Sequence, residues 1–211
     1  PAERIIDPTC GTGSFLLAVL NYWQKSREES PLSTESLIGV DINTQVAHIA
    51  ELNLMLASGG EANIFVADSL DQSSLDRFGI HRGTFDVVVS NPPIGIRIQE
   101  AQARQFQIGR QKVRSEALFM EQSLALLKDG GRAAIVIPNG LLSQEPTKDV
   151  RRWIMESARI DAIIQLAGRD GIPQSAISTS ILILTKGMAS RNEVFMARIT
   201  EHDGAKLGPA K

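Results

Sequence analysis

The sequence is poor in the residues that staple a chain by covalent or metal links. A single cysteine, Cys10, stands among 211 residues, which excludes an intramolecular disulfide framework and suits a reducing compartment such as the cytoplasm. The three histidines, His48, His81 and His202, are scattered without metal-ligand spacing, so no metal is expected. Long apolar runs are missing as well. Ala133 to Pro138 and Ser180 to Leu184 are strand length, far short of the roughly 20 residues of a membrane span, and no secretory leader is visible. There is no excess of either charge: 22 Lys and Arg against 24 Asp and Glu leave a net charge of −2, so any grip on nucleic acid must come from a local patch or from another domain or subunit. What is present, 43% hydrophobic and 22% charged residues, is ordinary for a globular fold and excludes a disordered one. Residues 1–200 are expected to form one domain and 201–211 a polar tail. The start at Pro1, with an apolar strand from Arg4, reads as a fragment of a longer chain.

Short β-branched runs alternate with longer amphipathic stretches, the pattern of β-α-β units in a mostly parallel α/β sheet. The strands are expected at Arg4 to Asp7, Leu37 to Asp41, Asn63 to Ala67, Phe85 to Ser90, Ala133 to Ile137, Ile160 to Leu166 and Thr179 to Leu184, about seven, a common sheet size. Helices are expected at Gly13 to Lys25, at Thr44 to Ala57, at Ser115 to Lys128, where Gly130-Gly131 would stop the helix, and at Thr147 to Ser157. Trp23 and Trp153 fall on apolar helical positions and read as core or interface residues; Lys148, Arg151 and Arg152 read as a solvated helix face.

The first strand runs into Asp7-Pro8-Thr9-Cys10-Gly11-Thr12-Gly13-Ser14. Glycines in a strand-to-helix turn let backbone approach a ligand closely. A dinucleotide fingerprint would need glycine where Leu16 stands, and a phosphate loop would need a Gly-Lys-Ser/Thr that is absent. Asp41-Ile42 and Asp68-Ser69 also stand at strand ends, and in an open α/β sheet these ends line one crevice with Asp7. Three acids suit a ligand rich in donors. S-adenosylmethionine offers an ammonium, two ribose hydroxyls and an adenine amino group. The alternative is that Asp41 and Asp68 cap the helices that follow. Cys10, with no histidine near it in sequence, reads as a small buried residue beside the cofactor rather than a nucleophile.

The fourth strand ends in Ser90-Asn91-Pro92-Pro93-Ile94. Two prolines fix φ and remove two donors, which holds the Pro92 carbonyl as a positioned acceptor. With the Asn91 side-chain oxygen it can accept both hydrogens of an exocyclic amine and aim the nitrogen lone pair at a sulfonium methyl.

These residues carry a family resemblance. Asp7 to Leu16 resembles motif I, and Asn91-Pro92-Pro93 motif IV, of the amino-group DNA methyltransferases, nearest to the N6-adenine methylases typified by the modification subunit of type I restriction systems. The similarity extends to Asp41, Asp68, Glu116 to Phe119, Gly130 to Ala133, Ile137 to Gly140 and Ser178 to Leu182. It implies a Rossmann-like S-adenosylmethionine-dependent methyltransferase fold with one antiparallel strand, placed at Thr179 to Leu184. It also implies methyl transfer to the N6 amino group of an adenine flipped out of DNA, with cofactor contacts from Asp7, Pro8, Thr9, Cys10, Gly11, Gly13, Asp41, Ile42, Asp68 and Ser69 and catalysis at Asn91, Pro92, Pro93 and Ile94. Partners implied are DNA, a separate specificity subunit and a restriction subunit. Ile94 departs from the family pattern, which has an aromatic there to stack on the base, a contact worth about 1–3 kcal/mol. A second aromatic is often found near the position of Gly171-Ile172-Pro173.

Between Ile94 and Arg114 lie five cations, Arg97, Arg104, Arg110, Lys112 and Arg114, against one acid, Glu100, in a stretch without apolar periodicity. It reads either as a loop that closes over DNA and neutralises phosphates through Arg97, Arg104, Arg110 and Lys112, or as a solvated loop of incidental charge. Three rival functions share parts of the pattern. An RNA guanine-N2 methyltransferase resembles both motifs, a glutamine-N5 protein methyltransferase only Asn-Pro-Pro, and a non-catalytic cofactor-binding scaffold is consistent with Ile94.

Overall fold

A computed structural model describes residues 3–26, 34–108, 114–166, 178–187 and 193–199. Its frame is one eight-stranded sheet. In chain order the strands are β1 (Ile5–Asp7), β2 (Leu37–Asp41), β3 (Asn63–Val66), β4 (Phe85–Ser90), β5 (Leu127–Pro138), β6 (Ala158–Gln165), β7 (Thr179–Lys186) and β8 (Phe195–Arg198). They lie side by side as β3-β2-β1-β4-β5-β7-β6-β8. Only β7, among the described strands, runs against its neighbours, pairing antiparallel with both β5 and β6. The mostly parallel sheet with one reversed strand, expected at Thr179 to Leu184, is thus present.

The inner strands are mostly apolar because helices cover both sheet faces there. Successive side chains point to opposite faces. Ile5 and Leu37 therefore enter a core with Leu16, Leu20, Ala50 and Leu54, under helices α1 (Ser14–Ser26) and α2 (Thr44–Ser58). Ile6, Ile38 and Val88 enter the larger core on the other face with Phe85, Met120, Leu124, Ile135, Val150 and Ile154. The short helices α3 (Gln72–Asp76) and α4 (Glu100–Ala103) precede α5 (Ser115–Leu126), and α6 (Asn139–Ser143) precedes α7 (Lys148–Ser157).

Several expectations need correction. Among the described residues the strands number eight rather than about seven, because β8 extends the edge beyond β6 in parallel register. Its Phe195 and Met196 are exposed, so no alternating pattern marked it. Helix α5 ends at Leu126, and Leu127 already pairs with Phe85. Gly130-Gly131 does not stop that helix. It lies in β5, where the register jumps from Phe85 opposite Leu127 to Val87 opposite Arg132. A Cβ placed on Gly131 would sit 2.9 Å from the Lys128 carbonyl oxygen and 3.1 Å from that of Asp86, so the close approach requires glycine. The expected tail, His202 and Gly171-Ile172-Pro173 lie outside the described residues.

Candidate active site

Strand order places the carboxyl ends of β3, β2, β1 and β4 in a row, with Asp7 and Asp41 the last residues of β1 and β2, and Asp68 and Asn91 just past β3 and β4. Over them opens a crevice of about 520 Å³, lined by Pro8, Thr9, Gly11, Asp41, Ile42, Asp68, Ser69, Asn91 and Pro93, and on its other side by Leu70, Ile96, Arg97, Ile98, Gln99, Gln102 and Phe119. That is an ordinary ligand-site volume. A second cavity, beside Glu116 and Leu141, measures about 70 Å³ and is too small for a nucleoside.

The three strand-end aspartates share one local device. Each accepts a hydrogen bond from the backbone amide two residues on: Asp7 from Thr9 at 3.0 Å, Asp41 from Asn43 at 2.8 Å and Asp68 from Leu70 at 2.9 Å. Such turns bend the chain at the strand end without spending the second carboxylate oxygen. In Asp41 that oxygen accepts from Gly11 N–H at 3.0 Å and ties the glycine turn to β2. In Asp68 it accepts from Gln102 Nε2 at 2.7 Å. Helix capping is not their role: Asn43 caps α2 and Asp71 caps α3.

The two turn glycines serve different ends. Gly13 (φ +84°) packs on α2, where a Cβ would lie 3.3 Å from Ala50 Cβ and from Leu54 Cδ1. Gly11 (φ +55°) faces open space, with nothing within 4 Å of an added Cβ, and it lines the crevice. A ligand can therefore lie directly against the Gly11 backbone. Below the wall, Asp7 is buried, and loss of solvent pushes its carboxyl up to about 7 against the opposing hydrogen bonds from Thr9. Thr9 Oγ1 in turn meets Ser90 Oγ at 2.9 Å, a direct link between the glycine turn and the residue preceding Asn91. Acceptors along the crevice and a bare glycine backbone fit a donor-rich nucleoside such as S-adenosylmethionine.

Residues 1–206 match the N-6 DNA Methylase family. The chain belongs to that family. It is 30% identical to the methylase subunit of the type I restriction enzyme EcoEI of Escherichia coli, over 97% of this chain and 42% of the relative. To the MpnII methylase subunit of Mycoplasma pneumoniae it is 27% identical, over 92% of this chain and 37% of the relative. Among solved structures, a chain of a type I R-M system superposes with a TM-score of 0.78 at 25% identity, covering 96% of this chain and 42% of that one. The chain thus spans less than half the length of these relatives.

In this member of the N-6 DNA Methylase family not every residue singled out from sequence stands on the crevice wall. Asp7, Cys10, Gly13, Pro92, Ile94 and Arg104 do not line it. Asp7 and Cys10 are buried beneath. Burial, with Asp7 and Asp41 nearby, pushes the Cys10 thiol well above its ordinary range, as a packing residue rather than a nucleophile requires. Ile94 is half-buried. Arg97 lines the crevice, whereas Arg104 points to solvent and bonds Glu100 at 2.5 Å. Arg110 and Lys112 lie outside the described residues.

The stretch after Ile94 is not a bare solvated loop over its described part. Phe106 is buried with Leu70, Leu118 and Phe119, and Ile98 and Ala103 pack on them. The amides of Gln107 and Ile108 both donate to the Glu121 carboxylate, at 2.7 and 2.8 Å, and Trp153 Nε1 donates to Gln107 Oε1 at 3.0 Å. So anchored, the segment brings Ile96 to Gln102 over the crevice. Apart from Arg97, the sequence singled out none of the segment's crevice residues, and Phe119 stood out only within the resembling stretch Glu116 to Phe119. The only signal was the apolar spacing of Ile96, Ile98, Phe106 and Ile108, too irregular for a helix or strand.

Proposed function

We propose that the chain is the catalytic domain, over about residues 1–200, of an enzyme that transfers a methyl group from S-adenosylmethionine to the N6 amino group of adenine in DNA. In this reading it is the modification subunit of a cytoplasmic restriction-modification system, working with a separate specificity subunit and a restriction subunit. One observation carries the proposal: Asn91 and Pro93 share a single crevice with Gly11, Asp41 and Asp68. An amine acceptor and a donor-rich cofactor's acceptors are thereby within reach of one bound molecule. The names of the relatives as type I methylase subunits support the cellular role.

When bound, the cofactor supplies an electrophilic methyl group on a sulfonium. The chain supplies position. Gly11 offers backbone without a side chain, Asp41 and Asp68 accept from hydroxyl and amino groups, and Ile42 and Phe119 give apolar walls. Asn91 and the Pro92 carbonyl hold the target amine by its two hydrogens, which presents the nitrogen lone pair. The prolines keep that carbonyl fixed, so orientation is set before the base arrives. Arg97, on the crevice rim, is placed to meet a phosphate of the flipped strand, and Ile94 gives the base an apolar contact in place of stacking.

The test is transfer of labelled methyl groups to unmethylated DNA by the full-length protein with its specificity partner. Transfer to adenine N6 is expected, and Asn91→Ala is expected to abolish it while cofactor binding persists. Wild-type turnover by Asn91→Ala refutes the mechanism. Labelling of RNA guanine instead of DNA adenine refutes the substrate.

A further inference from the structure

The row of strand ends also fixes the direction in which a nucleoside cofactor lies, given the proposed reading. Its methyl group must reach Asn91 at the end of β4, so its base lies toward the other end of the row, over β2 and β3. Neighbouring strands are about 4.8 Å apart, which puts Asp68 roughly 14 Å along the row from Asn91. Asp68 therefore meets the purine. Opposite it stands Gln102, on a four-residue helix held down by the Phe106 core.

We propose that Gln102 is a specificity-determining residue that reads the purine edge of the cofactor together with Asp68. An ionised carboxylate only accepts, so the Gln102 amide presents its nitrogen to Asp68, at 2.7 Å, and its oxygen is turned away. That oxygen accepts from no group among the described residues, and Gln102 lines the crevice. Asp68 and Gln102 thus offer two acceptors, which suits the two hydrogens of the adenine amino group. A purine with a keto oxygen at that position would set lone pairs against both acceptors. A glutamine amide is well matched to adenine, because it carries a donor and an acceptor in one plane. If Gln102 served only to anchor the loop, its loss would weaken all nucleosides alike.

The test measures binding of S-adenosylhomocysteine and of S-inosylhomocysteine, in which a keto oxygen replaces the amine, to the full-length protein by titration calorimetry. Wild type is expected to prefer the adenosyl compound by about 100-fold or more, since a site built for a hydrogen-bonding group rejects an analogue lacking it. Gln102→Met keeps the side-chain length on a half-exposed position and should cut that preference about tenfold, and Gln102→Ala should do the same. An unchanged preference in both variants, with affinities for both compounds falling in parallel, reduces Gln102 to a loop anchor and overturns the proposal. Equal binding of the two compounds by wild type overturns it too, yet leaves the cofactor crevice standing. Binding of neither compound by wild type refutes the crevice reading itself.

Discussion

Gly11→Ala and Gly13→Ala form a pair that separates ligand space from packing space within one turn. Both glycines have positive φ, +55° and +84°, so each alanine incurs a left-handed backbone cost of about 1–2 kcal/mol. At Gly13 the new Cβ also lies 3.3 Å from Ala50 Cβ and Leu54 Cδ1 in a buried helix contact, an overpacking cost of about 1–3 kcal/mol more. At Gly11 nothing lies within 4 Å, so the fold bears the backbone cost alone. For a domain of this size about 1 kcal/mol corresponds to 2–4 °C in Tm. Gly11→Ala should therefore lower Tm by about 2–8 °C and Gly13→Ala by about 4–20 °C. Cofactor binding should rank the other way at the Gly11 position. A methyl group placed where the ligand rests costs at least about tenfold in affinity if overpacking applies there too. Thermal melts followed by titration with S-adenosylhomocysteine read both quantities. Wild-type affinity in Gly11→Ala would refute the claim that a ligand lies against this backbone, and a Gly11→Ala variant less stable than Gly13→Ala would refute the packing argument.

Other outcomes follow from single contacts. Burial raises Asp7 from 3.8 to about 7, so the folded state holds its proton more tightly than the unfolded state. Stability from this group is complete below about pH 4 and is lost as pH rises to about 7, at up to about 1.4 kcal/mol per pH unit. Asp7→Asn keeps an acceptor for Thr9 and should flatten the decline of Tm across that window; parallel wild-type and variant curves would contradict it. Thr9→Val and Ser90→Ala should each cost about 1 kcal/mol, with a coupling of about 0.5–1.5 kcal/mol in a double-mutant cycle, because they remove one shared hydroxyl contact. Strict additivity rules out the contact. Phe106→Ala removes the ring that anchors the segment over the crevice, a change worth about 3–5 kcal/mol in a rigid core. Faster protease cleavage between residues 94 and 108 and weaker cofactor binding are expected, and the absence of both would show that the segment is held by other contacts.

Much of the site was legible along the chain. The runs at Leu37–Asp41 and Phe85–Ser90 gave those strands to the residue, because each is a short, largely β-branched or apolar run that stops at a polar residue. Asp7, Asp41, Asp68 and Asn91 stood out as polar residues at such ends, and a parallel sheet brings carboxyl ends to one edge whatever the strand order. Helix α5 was found but its end was misplaced, since Leu127 fits an apolar helix face as well as a strand, and only pairing with Phe85 chooses.

The sequence by itself determined the alternation of strands and helices, the glycine turn, and the residues able to hold a cofactor and an amine, because these depend on local backbone freedom and side-chain chemistry. The tertiary structure alone decided that β3, β2, β1 and β4 are neighbours in that order, so that Asp41, Asp68 and Asn91 line one crevice with Asp7 buried beneath it. It also decided that Ile96 to Gln102 fold back over that crevice. Their placement depends on Phe106 meeting Leu70 and Phe119, and on Glu121 receiving two loop amides. Those partners are distant in sequence, and no local pattern encodes them.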